Sequence, residues 1–215
     1  SLVGIVGQTG AGKTTIIKLL LRFYDPISGS IKIGDQDIKG IKLKNLRENI
    51  GYVSQEIFMF DGTVKDNIAY PDSSDDEDLV TQAAKQSQAH EFIEKLPKGY
   101  NSMIGERGQK LSAGQKQRLI IARAIYKDPS ILVFDEATSS VDNKTEQLIQ
   151  QTLENISKNR TTIIIAHRLS TLMHVDKVLV LKKGEIAEFG ERKDLLREKG
   201  LFYKLCQSQL NSEKS

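Results

Sequence analysis

Eight consecutive residues, Gly7-Gln8-Thr9-Gly10-Ala11-Gly12-Lys13-Thr14, satisfy the pattern G-x-x-x-x-G-K-[ST]. Each residue type answers a chemical need. Glycines let successive backbone N–H groups converge on the β- and γ-phosphate oxygens of a nucleotide. Lys13 supplies a point charge to those oxygens, and the Thr14 hydroxyl is a ligand for Mg²⁺. The pattern works only where a strand delivers the turn and a helix leaves it, because the positive end of the helix completes the cradle. Both flanks are present: Leu2-Val3-Gly4-Ile5-Val6 reads as a buried strand, and Thr15 to Phe23 reads as a helix. A chance Gly-rich turn before a helix does not account for eight constrained positions with the correct flanks. The expectation is a nucleoside triphosphate site.

A second stretch, Ile131-Leu132-Val133-Phe134-Asp135-Glu136, runs from four apolar residues into two carboxylates. This is the Walker B pattern, in which a buried strand carries an acid to the metal beside the phosphates. Alone it is weak, since strands often end in acids, but paired with the phosphate cradle it is strong. Asp135 is the expected Mg²⁺ ligand. Glu136, on the other side of the strand end, can polarise a water that attacks the γ-phosphate. A third stretch, Leu111-Ser112-Ala113-Gly114-Gln115, precedes the helical run from Lys116 to Ala124. Spacing alone supports two readings of it: a second anion-binding helix terminus, or an ordinary N-cap by Ser112 on a helix starting at Gln115.

These residues need a scaffold. The pattern of short apolar strands alternating with helices predicts a mostly parallel sheet covered by helices. Beyond the first strand and helix, strands are expected at Ser30–Gly34, Ile50–Ser54, Ser130–Phe134, Thr161–Ala166 and Lys177–Leu181. Helices are expected around Leu43–Arg47, at Thr63–Ala69 with a Thr-x-x-Asp cap, and at Glu77–Ala89, Gln115–Tyr126, Asn143–Ile156 and Arg192–Leu210. From Gln55 to about Leu111 helical patterns dominate, which predicts an α-helical subdomain at 56–110 inserted between α/β core segments 1–55 and 111–215. The acidic run Asp72 to Asp78 reads as a solvated loop leading into a helix.

Composition narrows the class. The 215 residues are 39% hydrophobic and 27% charged, ordinary for a globular chain with a real core. The longest apolar stretches, Leu119–Ala122 and Ile163–Ala166, are far too short to span a bilayer. A net charge of +3 gives no case for nucleic acid. The single cysteine, Cys206, excludes an internal disulfide, fits a reducing compartment and reads as a packing residue. No signal or transit segment is visible, and a chain that opens inside a core strand predicts further strands upstream of Ser1.

Leu111-Ser112-Ala113-Gly114-Gln115, placed just before the Walker B strand, resembles the signature motif of ATP-binding cassette (ABC) ATPases. The order of the other motifs is similar: Gln55 to the Q-loop glutamine, Ser139-Ser140-Val141-Asp142 to the D-loop, and His167 to the H-loop switch histidine. The resemblance covers residues 1 to about 205. It implies a P-loop NTPase fold of class α/β with an inserted helical subdomain, and ATP and Mg²⁺ as cofactors. It implies nucleotide contacts from Gly7, Gln8, Thr9, Gly10, Ala11, Gly12, Lys13, Thr14, Thr15, Gln55, Asp135 and the signature residues Ser112, Ala113, Gly114 and Gln115. Thr14, Gln55 and Asp135 are the implied metal ligands; Lys13, Glu136 and His167 are the implied catalytic residues. Two departures stand out. Ala113 replaces the usual glycine of the signature, and the adenine-stacking aromatic of the family falls before Ser1.

Arg22-Phe23-Tyr24-Asp25-Pro26, Gly62-Thr63-Val64-Lys65-Asp66-Asn67-Ile68, Gly105-Glu106-Arg107-Gly108 and Ala166-His167-Arg168-Leu169-Ser170 resemble the exporter branch of the family, including multidrug and peptide exporters and heavy-metal-tolerance half-transporters. That resemblance implies export powered by ATP-driven, head-to-tail dimerisation. The partners would be a second ATPase domain and a transmembrane domain that the helical subdomain contacts. It implies a membrane-associated protein with this domain on the cytoplasmic or matrix side. Two alternatives belong to other classes. A soluble ABC ATPase of chromosomes would carry a long coiled-coil insertion between Gln55 and the signature, and no heptad run is present. A non-hydrolysing regulatory cassette is disfavoured by the intact Glu136 and His167.

Overall fold

The computed structural model describes residues 1–72, 76–105, 108–135, 143–166 and 169–212. Its central sheet contains β1 (Leu2–Gly7), β4 (Ile50–Val53), β5 (Ile131–Asp135), β6 (Thr161–Ile165), β7 (Lys177–Lys182) and β8 (Glu185–Glu191). The strand order is β4-β5-β6-β1-β7-β8. The first five of these run parallel, and β8 closes one edge antiparallel to β7. The expected α/β class with a mostly parallel sheet is therefore the observed one.

The sequence of β5 shows why this sheet needs cover on both faces. All five of its residues are buried, so its alternating side chains serve two cores. Leu132 and Phe134 join Val6, Ile164, Val178 and Val180 on one face. Ile131 and Val133 join Ile5, Ile165 and Leu181 on the other. The second face is covered by α1 (Lys13–Leu20) and α2 (Leu43–Glu48) through Ile17 and Leu46. The first is covered by α6 (Ala113–Ile125), α7 (Asn143–Ile156), α8 (Arg192–Glu198) and α9 (Leu201–Ser212). The helices α3 (Val64–Ala69), α4 (Glu77–Gln86) and α5 (His90–Glu94) extend that same core with Val64, Ile68, Val80 and Ile93. Each of these fully buried side chains contributes about 1.5–3 kcal/mol relative to exposure.

Several boundaries differ from the sequence expectation, each for a local reason. The strand read at Ser30–Gly34 is a small hairpin of two-residue strands, β2 (Lys32–Ile33) and β3 (Gln36–Asp37), separate from the main sheet. The helix read at Glu77–Ala89 stops at Gln86, where Gln88 takes a left-handed φ of 59° before α5 begins. The C-terminal helix divides at Lys199, also left-handed, and Gly200. The new start is capped by Glu188, whose carboxylate accepts from the backbone N–H of Leu201 and, at 2.9 Å, of Phe202. β8 was not anticipated; it follows a two-residue turn, Lys183-Gly184, with φ of 53° and 83°.

The helix α6 lies directly on β4. A Cβ built on Gly51 would press on the Ala124 carbonyl oxygen and stand 2.7 Å from Leu132 Cδ2. Gly51→Ala therefore overpacks this contact and is expected to cost about 1–3 kcal/mol. In thermal unfolding that is a fall of roughly 3–10 °C for a chain of this size. An unchanged melting temperature would show that α6 can move away from the sheet at no cost.

Candidate nucleotide site

The cradle forms where β1 gives way to α1. Gly10 and Gly12 take φ of 81° and 104°, a region that side-chain-bearing residues rarely adopt, and Gly12 is the N-cap of α1. Lys13 opens the helix and is only 6% exposed. Its ammonium donates to the carbonyl oxygens of Gly7 at 2.7 Å and Gln8 at 3.2 Å, so the loop wraps around its own lysine. The turn is fixed by Ala11 N–H donating to Gln8 O at 3.0 Å, and by Gly184 N–H donating to Ala11 O at 3.0 Å. Gln8, Thr9, Gly10, Thr14 and Thr15 are exposed, so the polar rim of the cradle faces solvent. A cavity of about 260 Å³ adjoins it, lined by Gly7 to Ala11, Leu181 to Lys183, Leu201 and Leu205.

Asp135 ends β5 and is 4% exposed. It stands opposite Ile165 of β6, which in turn stands opposite Ile5 of β1. The acid is thus two strands from the cradle, about 10 Å, at the same carboxyl edge of the sheet. Tyr52 of β4 donates its hydroxyl to Asp135 Oδ2 at 3.4 Å. Burial, and then the charge of Asp135, push the Tyr52 phenol up to about 12, so it stays a donor at every physiological pH. Tyr52 did not figure among the residues anticipated from sequence. An aromatic three residues before Gln55 was the available signal, but the pairing depends on strand register. Gln55 itself lies two residues beyond β4 and is exposed, at the same edge of the sheet.

Within the chain Ser112 acts as a helix cap. It is the N-cap of α6, which starts at Ala113 rather than Gln115. Its Oγ accepts from Gln115 N–H at 3.3 Å, and Gln115 Oε1 accepts from Ser112 N–H at 2.9 Å, a capping box. Ser112 and Ala113 are exposed, so the methyl of Ala113 meets no obstacle within the chain. Gly114 is buried against α7, and a Cβ there would lie 2.5 Å from Thr145 Cγ2. Glu136, His167, the D-loop stretch 139–142 and the pair Glu106-Arg107 lie outside the described residues.

Among the described residues no group of three or more His, Cys, Asp and Glu side chains could hold a metal by itself. One buried carboxylate, Asp135, and one exposed hydroxyl, Thr14, at the same edge of the sheet are oxygen donors of the kind Mg²⁺ takes.

A P-loop between strand and helix, a strand-end aspartate on the same edge and a capped second helix terminus define a nucleotide-hydrolase scaffold. The ABC transporter family matches residues 1–139 of the chain. ABC transporter B family member 4 of Dictyostelium discoideum is 49% identical over 99% of the chain and 28% of its own length. The ATP-dependent lipid A-core flippase of Syntrophus aciditrophicus (strain SB) is 47% identical over 99% of the chain and 35% of its own length. A solved bacterial Atm1-family ABC exporter with ATP bound superimposes with a TM-score of 0.90 at 48% identity, covering 97% of the chain and 36% of the exporter chain. The chain belongs to the ABC transporter family and carries its ATPase fold. It spans about a third or less of the length of these relatives. No helix among the described residues is long and apolar enough to cross a membrane.

Proposed function

We propose that this chain binds and hydrolyses Mg²⁺-ATP and thereby powers export of a substrate across a membrane. The observation that carries this reading is the shared carboxyl edge of β1 and β5, which bears the phosphate cradle with its buried Lys13 and, two strands away, the buried Asp135. Backbone N–H groups of the cradle and Lys13 hold the β- and γ-phosphates. Thr14, Gln55 and Asp135 would hold Mg²⁺, which neutralises charge developing on the phosphate oxygens. Tyr52 orients the Asp135 carboxylate. Glu136 takes the proton of the attacking water, and His167 holds that water and Glu136 in register with the γ-phosphate.

Ser112 and Gly114 lie on a helix terminus separate from the cradle, which favours their use by a second copy. In a head-to-tail pair, each signature completes the γ-phosphate shell held by the other chain. The relatives include exporters and a flippase of about three times this length or more. The helical subdomain (56–110) would dock on a transmembrane partner, with the ATPase domain on the cytoplasmic or matrix side.

Steady-state ATPase assays of His167→Ala test this reading. The expected result is a rate about 100-fold lower with ATP affinity within about threefold of the parent. Equal losses of rate and affinity would assign His167 a purely structural role, and no hydrolysis in the parent would favour a regulatory cassette.

A further inference from the structure

The guanidinium of Arg123, on α6, enters the junction between α6 and the stretch that follows Gln55. Its Nη1 donates to Phe58 O at 2.9 Å, its Nε to Asn67 O at 2.6 Å and its Nη2 to Asn67 Oδ1 at 2.9 Å. It stacks on the Phe60 ring, 5.0 Å from the centroid, with Tyr70 at 5.8 Å. Burial pushes it down to about 10, so it remains charged at neutral pH, and among the described residues no carboxylate pairs with it. A half-buried cation held by carbonyl oxygens and two rings is costly to build, and its geometry serves position rather than charge balance.

Its partner is equally committed. Asn67 is fully buried. Its Oδ1 also accepts from Phe60 N–H at 2.8 Å, and its amide donates to Phe60 O at 3.1 Å and Thr63 O at 3.0 Å. Residues 58–63 are thereby locked to α3 at Asn67 and, through Arg123, to α6. The C-terminal end of α6 rests on β4, where Ala124 approaches Gly51, and its N-terminal end lies far from that contact. Ser112 stands eleven residues back along it from Arg123, about 16 Å at helical rise. One element thus touches the exit from Gln55 at one end and presents the signature at the other.

We infer that Arg123 is a positioning residue that couples the segment after Gln55 to the signature helix, so that nucleotide sensed at Gln55 sets the orientation of Ser112 toward a second chain. The inference rests on the dimer reading above. A displaced Gln55 segment pulls on Phe58 O and Asn67, and the rigid guanidinium fork transmits the pull to α6. Without the fork, nucleotide still binds at the cradle, but the signature no longer responds.

The test is hydrogen exchange of the chain with and without Mg²⁺-ATP, alongside rate and affinity. In the parent, ATP should slow exchange at least tenfold both at residues 55–60 and at residues 113–116. In Arg123→Gln the slowing persists at 55–60 and disappears at 113–116. Hydrolysis falls at least tenfold, and half-saturating ATP changes less than threefold. Arg123→Lys keeps the charge, reaches one carbonyl oxygen and restores part of the signal; it carries the comparison if Arg123→Gln is not recovered folded. Ser112→Arg distinguishes loss of the coupling from loss of the dimer. If Ser112→Arg abolishes slowing at 113–116 while Arg123→Gln does not, the coupling role is wrong and the dimer reading stands. If the parent itself shows no slowing at 113–116, both are wrong.

Discussion

Lys13→Met is expected to leave the chain folded and to lower ATP affinity about 100-fold, with hydrolysis falling below detection. Methionine keeps the apolar stem in a site that is 6% exposed and removes only the ammonium. That ammonium is held by the carbonyl oxygens of Gly7 and Gln8 at 2.7 and 3.2 Å. Replacing a buried charge by an apolar group of similar volume is often close to neutral for stability, so the melting temperature without nucleotide should shift by a few degrees at most. Binding behaves differently, because a charge-assisted contact to phosphate contributes about 1.5–3 kcal/mol, up to a factor of about 150. Thermal unfolding with and without Mg²⁺-ATP reads both effects in one experiment. The parent should gain stability with ATP and Lys13→Met should not. Equal ATP stabilisation of the two would remove Lys13 from the phosphate site.

Glu136→Gln is expected to lower turnover by a factor of about 10²–10⁴ while ATP binding survives. Glutamine has the same shape and can still orient a water, but it cannot take the proton. The change therefore separates general-base chemistry from packing. Near-parental turnover in this variant would transfer the role to another group. A turnover lowered that far would also preserve ATP long enough for its bound state to be studied.

The sequence signals that could be read are those in which chemistry and structure are local. The cradle was legible because eight adjacent residues carry it, with strand and helix signals on both sides. The helix Asn143–Ile156 was legible from its apolar period, and the strand read at Ser130–Phe134, observed at Ile131–Asp135, from its continuous apolar run. Ser112 was not decidable, since a helix N-cap and an anion site use the same exposed N–H groups. The edge strand β8 gave no recognisable pattern because its large apolar residues, Ile186 and Phe189, are exposed at 63% and 57%. Its only signal was the Lys183-Gly184 turn. Helix breaks at Gln88 and Lys199 were masked by apolar periods that continue across them. The Tyr52–Asp135 and Arg123–Asn67 contacts join residues 83 and 56 positions apart, and only the register of β4 on β5 and the seating of α6 on Gly51 bring them together.

In the proposed working unit, ATP and not ADP joins two copies of this chain through Ser112 and Gly114 of one and the cradle of the other. Two charge-assisted phosphate shells contribute several kcal/mol together, enough to turn a weak association into a stable one. Sedimentation of Glu136→Gln with Mg²⁺-ATP, with Mg²⁺-ADP and without nucleotide measures this directly. A dimer is expected with ATP alone, and a monomer when Ser112→Arg is added to the same chain. A chain that stays monomeric with ATP at high protein concentration, or a dimer indifferent to Ser112→Arg, would contradict it.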